Sequence, residues 1–522
     1  MIKAKSLFAM ILSMIIITLL LAGCSGNTTA NNQTAAPTDG VSTVPQEIVI
    51  GEEYDLLSID PADGMFDDAQ ILVYNGLVEL DTNFMQVPGL AEVFNMSEDG
   101  KTWTFNLRKG VKFHDGTPWN AEAAKINIER YRDRLATLDT IETPDDYTLI
   151  LHLTQPTADL ASTLAQTTMS MVAPSALDGE GKMTEAVGTG PYKLTSWKKD
   201  VEYIFEANPD FWDGTVNIKK ITFKVITDHQ SRAMALESGE IDMMSGYGAL
   251  SAIKQFMNDD RFQLIMKTQN TSAVMFFNIE KSPLSSLKVR QAISHALDLD
   301  TMVNNLLVGL ASPPKGFFSP AYGDIVNPDV IPTYDVEKAK TLLAEDGWVA
   351  GSEGILEKNG NKLAIKLTYS MSNTEDALLA PVMKDELGKI GIDVTLTPVE
   401  DAALWDLATE KDFDLLIIGQ WFIPTDEPAM NYSRGYWHTN SNCPIYTSPE
   451  LDALIDELAI TMDKSKRVEL HHKIQAKIME NAPTLMLYHR NSIRLAKKNI
   501  TNFDISSGCW HINTKLKDAV VK

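Results

Sequence analysis

Cysteine and positive charge are both scarce in this chain. Its 522 residues include three cysteines, Cys24, Cys443 and Cys509, too few for a disulfide framework. Lysine and arginine total 46 against 70 aspartates and glutamates, a formal charge of −24. Phosphate binding needs a basic face, so nucleic acid is disfavoured as a partner. The acidity serves solubility and leaves cationic ligands open. After residue 24 there is no second apolar run long enough to span a bilayer, and after residue 46 no repeat or low-complexity tract. Gly-x-Ser-x-Gly, His-Glu-x-x-His and phosphate-loop motifs are absent, and nothing pairs carboxylates for acid–base work, so the chain reads as a non-enzyme.

What is there begins at the N-terminus. Lys3 and Lys5 precede an apolar run over residues 7–20 and the tetrad Leu21-Ala22-Gly23-Cys24. The run is short for a membrane span and a polar stretch follows it, which is the pattern of a cleaved signal over residues 1–23. The tetrad resembles a bacterial lipobox, which implies that Cys24 becomes a lipidated first residue. Two or three acyl chains, at about 0.8 kcal/mol per buried methylene, hold a protein at a membrane. Residues 24–46 are mostly Ser, Thr, Asn, Ala, Gly and Pro. They bury too little apolar surface to offset their ordering entropy and read as a flexible tether.

The remaining residues alternate strand-like and helix-like segments, the pattern of an α/β protein with at least two cores. Strands are expected over residues 47–51, 101–108, 147–153, 218–225, 362–369, 394–399 and 413–421. Helices are expected over 228–239, capped by Asp228 and stopped by Gly239, and over 288–297, 336–346, 375–390 and 449–481 with a break near Asp463.

Several segments resemble bacterial extracytoplasmic solute-binding proteins of the dipeptide, oligopeptide and nickel group, family 5. They include Ser97-Glu98-Asp99-Gly100-Lys101-Thr102-Trp103-Thr104-Phe105, Gly188-Thr189-Gly190-Pro191-Tyr192, Asn208-Pro209-Asp210-Phe211-Trp212 and Val289-Arg290-Gln291-Ala292-Ile293. Ile241-Asp242-Met243-Met244-Ser245-Gly246-Tyr247-Gly248 and Ile355-Leu356-Glu357-Lys358-Asn359-Gly360 are most similar to the nickel and metallophore branch. The resemblance implies a two-lobed, type II periplasmic-binding-protein fold with a hinge. Lobe I would span 47–285, with an extra β-rich subdomain at about 80–215, and be completed by 486–522; lobe II would span 286–485. It also implies a monomeric, lipid-anchored capture protein outside the bacterial membrane, without an intrinsic cofactor. Such a protein serves the permease and cytoplasmic ATPases of an ABC importer and carries a Ni(II) chelate or, alternatively, a short peptide.

The resemblance further implies a ligand site at the end of strand 413–421. Trp421 and Tyr436 would line the cleft, Arg434 would engage a chelator's carboxylates, and His438 would reach the metal, imidazole being a good Ni(II) ligand. Arg134, or neighbouring Arg132, stands where a second anchoring arginine is expected. Ser170 stands where the nickel branch has a third, and loss of a planar carboxylate clamp changes recognition. Asp426 is the residue that would pair with a peptide's amino terminus. On residue chemistry alone, a lone histidine in a Tyr-Trp-His-Thr-Asn loop is more often a surface or packing residue. His471-His472 and Cys443 are weaker metal candidates, because adjacent helix residues point apart.

Overall fold

The computed structural model describes residues 44–63, 70–245, 250–419, 427–441, 443–507 and 514–522. Cys24, tether residues 24–43, Trp421, Asp426 and Cys509 lie outside them, whereas Gln46, at the end of the expected tether, is hydrogen-bonded to Val521. An 11-stranded mixed sheet organises the chain. Its path runs Asp393–Val399, Ala364–Ser370, Leu415–Gly419, Phe262–Phe277, Thr484–Lys497, Met243–Ser245, Glu47–Glu52, Lys220–Val225, Glu202–Ala207 and Tyr192–Lys198, and the eleventh strand, Ala311–Ser312, pairs with Thr484–Lys497 off this path. The two longest strands, Phe262–Phe277 and Thr484–Lys497, lie antiparallel at its centre and join the two halves.

Side-chain alternation divides the sheet's faces. On one face a single core covers both halves, taking Leu236 and Ile253 from the first and Val289, Leu343 and Leu379 from the second. The other face carries separate cores. Ile50, Phe205 and Phe223 belong to the first-half core, and Phe276, Ile418, Tyr432 and Trp437 to the second-half core. The two cores of this face meet over the long strands, which form the floor of the boundary between them. Phe276 of the second core and Met275 of the shared core are sequence neighbours, which is the alternation at work.

A separate antiparallel sheet adds the subdomain. Its order is Ala91–Met96, Thr102–Leu107, Thr148–Leu153 and Leu138–Asp145, and helix Ala121–Arg130 packs with it around Phe105, Trp119, Ile128 and Leu151. This is the two-lobed α/β architecture with an extra β-rich subdomain that the sequence leads one to expect. Most helix boundaries agree as well. His229–Ser238 is capped by the Asp228 carboxylate and ends at Gly239 with φ +84°. The long C-terminal helical segment is broken into Pro449–Ile460 and Lys464–Glu480, the second capped by Asp463. Among the described residues no helix is long and apolar enough to cross a membrane.

Candidate ligand-binding cleft

The floor of the cleft is polar where the two cores part. Pairing of the long strands shifts register between Thr268, opposite Asn491, and Ser272, opposite His489. The residues between them leave the ladder as a bulge, which bends a strand and sharpens its twist. Gln269, Asn270 and Thr271 are all buried, yet Gln269 Oε1, both side-chain polar atoms of Asn270 and Thr271 Oγ1 have no hydrogen-bond partner among the described residues. Each such group costs about 1–3 kcal/mol. Beside them His489 is fixed, its Nε2 accepting the Lys315 N–H at 3.1 Å and its Nδ1 lying 2.7 Å from Ser272 Oγ. Burial, with Lys315 nearby, lowers its pKa to about 3 and keeps the ring neutral, so Nδ1–H donates to Ser272.

On the first-half side lies a cavity of about 420 Å³. Its wall includes the ribbon Val78–Leu80 and Gln86–Pro88 and residues around Ser170, Trp212 and Ser506. Asn75 organises one side. Its Nδ2 donates to Glu79 Oε1 at 2.6 Å, and its Oδ1 accepts from Thr189 Oγ1 at 2.9 Å and Trp212 Nε1 at 3.1 Å. Burial pushes the Glu79 carboxyl up to about 7, against the Asn75 bond and with help from Asp213. Both cations on the wall are engaged. Arg108 stacks 4.4 Å from the Trp212 ring centroid and lies 3.6 Å from Glu92. Lys517 reaches Asp518 at 3.2 Å and Asp213 at 3.6 Å. Glu79, Asp81, Asp213 and Asp518 make this wall acidic. Ser170, where the resemblance leads one to expect a lost arginine, is part of it.

The predicted site residues distribute unevenly. Arg434 and Tyr436 both lie in the π-helical turn Asn431–Tyr436. Arg434 is exposed and has no hydrogen bond or ion pair among the described residues. Tyr436 is 1% exposed, packed 4.7 Å from Phe276 in the second-half core. His438 is 8% exposed. Its Nδ1 accepts the Asn440 N–H at 3.0 Å, and its Nε2 faces Asp456 at 3.4 Å and Asp452 at 3.9 Å. Among the described residues no three His, Cys, Asp or Glu side chains form a group able to hold a metal. Arg134 is exposed but donates to the carbonyls of Thr168, at 3.3 Å, and Ala62. Arg132 pairs with Glu129.

His471 and His472 do point apart. His471 is fully buried with Nε2 2.6 Å from Glu427, whereas His472 meets the Asp324 carbonyl. Glu427 also binds Arg467, at 2.9 Å from Nη2. Burial alone would raise the Glu427 carboxyl, but the His471 hydrogen bond and the neighbouring charges of His471 and Arg467 bring it down to about 2. The end of the Pro-rich loop is thus anchored from beneath. Across the rim, Asp159 of the subdomain lies within electrostatic reach of Arg467, Glu427 and Arg434, and burial raises its pKa. Cys443 is half-buried and forms no disulfide among the described residues.

Sequence reasoning did not single out Asn75, Glu79 or Phe84. For Phe84 a signal existed, a large aromatic in an Asp-Thr-Asn turn where glycine or asparagine is preferred.

Residues 86–442 match the family described as bacterial extracellular solute-binding proteins, family 5 Middle. The nickel-binding periplasmic protein of Escherichia coli K12 is 29% identical over 455 residues, 83% of this chain and 87% of that protein. The dipeptide-binding protein of the same organism is 26% identical over 479 residues, 84% of this chain and 87% of that protein. The crystal structure of NikA from Brucella suis in complex with Fe(III)-EDTA superposes with a TM-score of 0.80 at 26% identity, covering 91% of this chain and all of that one.

Proposed function

The chain belongs to the bacterial extracellular solute-binding proteins of family 5, binding proteins of ABC importers, and from that premise we propose that it captures a metal chelate, with Ni(II) as the cargo metal, between its two lobes. Arg434 carries this reading. A guanidinium that is exposed and makes no hydrogen bond or ion pair among the described residues is available to a chelator's carboxylates, in a bidentate geometry that lysine cannot reproduce. The nickel-binding relative supports the same cargo.

In this reading Trp421 and Tyr436 shape the aromatic side of the site, and Arg134 contributes from the subdomain by exchanging a carbonyl for a ligand carboxylate. His438 would coordinate the metal after releasing Asp456. The lobes are 47–285 with 486–522, and 286–485. Cys24 anchors the mature protein at the outer face of the cell membrane, where the permease reads closure. Ligand drives closure only by binding the closed state better.

A short peptide is the second reading, favoured by the acidic cavity wall, which suits an ammonium group. Asp426 would then hold the peptide's amino terminus. Isothermal calorimetry with Ni(II)–L-histidine, Ni(II)–EDTA and a dipeptide series separates the two. Under the chelate reading Arg434→Ala weakens the complex and the metal-free chelator alike, while His438→Ala weakens the complex more. Asp426→Asn leaves chelate binding intact. Peptide binding lost on Asp426→Asn, with no chelate binding in the wild type, reverses the assignment. For the anchor, Cys24→Ala releases the protein from the membrane fraction with binding intact; sedimentation with salt-washed membranes refutes it.

A further inference from the structure

Phe84 combines three properties that rarely coincide. It closes the turn of the ribbon Val78–Leu80 and Gln86–Pro88. Within that turn the Asp81 carboxylate accepts the N–H groups of Asn83 and Met85 at 2.8 and 2.9 Å, and Phe84 N–H donates to the Asp81 carbonyl at 2.9 Å. This bonding places Phe84 at φ +68°, a left-handed conformation easy for glycine and unfavourable for a bulky side chain. The ring nevertheless is 2% exposed. It belongs to the second-half core with Phe317, Phe318, Tyr432 and Trp437, edge-on to Tyr322 with ring centroids 6.4 Å apart.

The same residue lines the cavity on the first-half side, as do Thr82 and Ser506. Hydrogen bonds tie the turn to the cleft floor as well. The Thr82 carbonyl accepts the Ser507 N–H at 3.1 Å, and the Ser507 carbonyl accepts the N–H of Asn270 in the bulge at 2.8 Å. One turn thus touches the cavity, the strand that joins the lobes and the opposite core. The turn's own hydrogen bonds hold the left-handed backbone, and burial of the ring adds a second compensation that is present only while the ring is inserted.

We propose that Phe84 is a positioning residue that couples occupancy of the cavity to lobe closure. When the lobes part, the ring leaves the second-half cluster and the turn relaxes. A ligand filling the cavity backs the ring and holds it in the cluster, so binding and closure favour one another. This rests on the cavity being part of the ligand chamber.

Two variants test it. Phe84→Gly removes the ring and suits the backbone; Phe84→Leu keeps an apolar side chain. Small-angle scattering and calorimetry use Ni(II)–L-histidine and alanyl-alanine as probes. Phe84→Gly should leave the unliganded radius of gyration and melting temperature near wild type, yet weaken whichever probe binds the wild type by at least about tenfold and reduce its compaction. Phe84→Leu should lie between. Unchanged affinity and full compaction in Phe84→Gly would overturn the proposal.

Hydrogen exchange at the amides of residues 317–322 gives a readout that needs no ligand. If the contact is intermittent, Phe84→Gly raises unliganded exchange there by no more than about twofold. A rise above about tenfold shows a permanent plug and also overturns it. Should neither probe bind the wild type, the chamber reading fails, and the exchange comparison still decides the role of Phe84.

Discussion

Asp376 is a buried carboxyl whose charge state sets a pH dependence. It lies in the first turn of helix Thr374–Gly388, 3% exposed, and accepts the Tyr488 hydroxyl at 2.9 Å. Burial raises its pKa to about 7 despite Arg490 and Tyr488. The folded state then holds a proton that the unfolded state, with a pKa of about 3.9, has released. Its contribution is complete below about pH 4 and disappears as pH rises through about 7, on the order of 4 kcal/mol. Urea denaturation of Asp376→Asn should show a flatter pH profile and greater stability than wild type at pH 8. An identical slope would place the proton elsewhere. Gly100 offers a backbone counterpart. It ends the Ser97–Gly100 turn at φ +68°, and an added Cβ would lie 2.5 Å from Met462 Cε. Gly100→Ala should cost about 1–2 kcal/mol in urea, chiefly from the left-handed backbone, since a methionine tip can move. Residue roles were the least legible part of the sequence. Tyr436 ends the π-helical turn packed against Phe276, while His438, two residues beyond, is buried beside Asp456 and Asp452, and neither environment could be read along the chain.

Elements were far more legible, for reasons visible in particular segments. Helix His229–Ser238 carries its start and stop in Asp228 and Gly239. Strand Thr102–Leu107 alternates buried and less buried residues after a tight turn. The long strands Phe262–Phe277 and Thr484–Lys497 escaped notice, since their central residues serve a polar bulge and show no two-residue alternation. That bulge supports a prediction of its own. Thr271→Val removes an orphaned hydroxyl at similar size and should raise stability by about 1 kcal/mol in urea. A loss of stability would mean that the hydroxyl has a partner in solution.

At the scale of the molecule, the two-lobed architecture was readable because family 5 motifs mark turns and core aromatics along the whole chain. The cavity was not, because its wall gathers residues as distant as Asn75 and Asp518. Cognate ligand should reduce the radius of gyration by closing the lobes, and an unchanged value at saturation would contradict a clamp. The sheet's topology also governs the order in which the protein can be completed. Strand Thr484–Lys497 pairs with Phe262–Phe277, Met243–Ser245 and Ala311–Ser312, yet nearly all of the chain precedes it. A ribosome-bound or partly translocated chain lacks the strand that joins first half to second, so native assembly waits for the last forty residues. A truncation before Thr484 should therefore leave two unfinished halves with unpaired strand edges, more sensitive to proteases than the full chain.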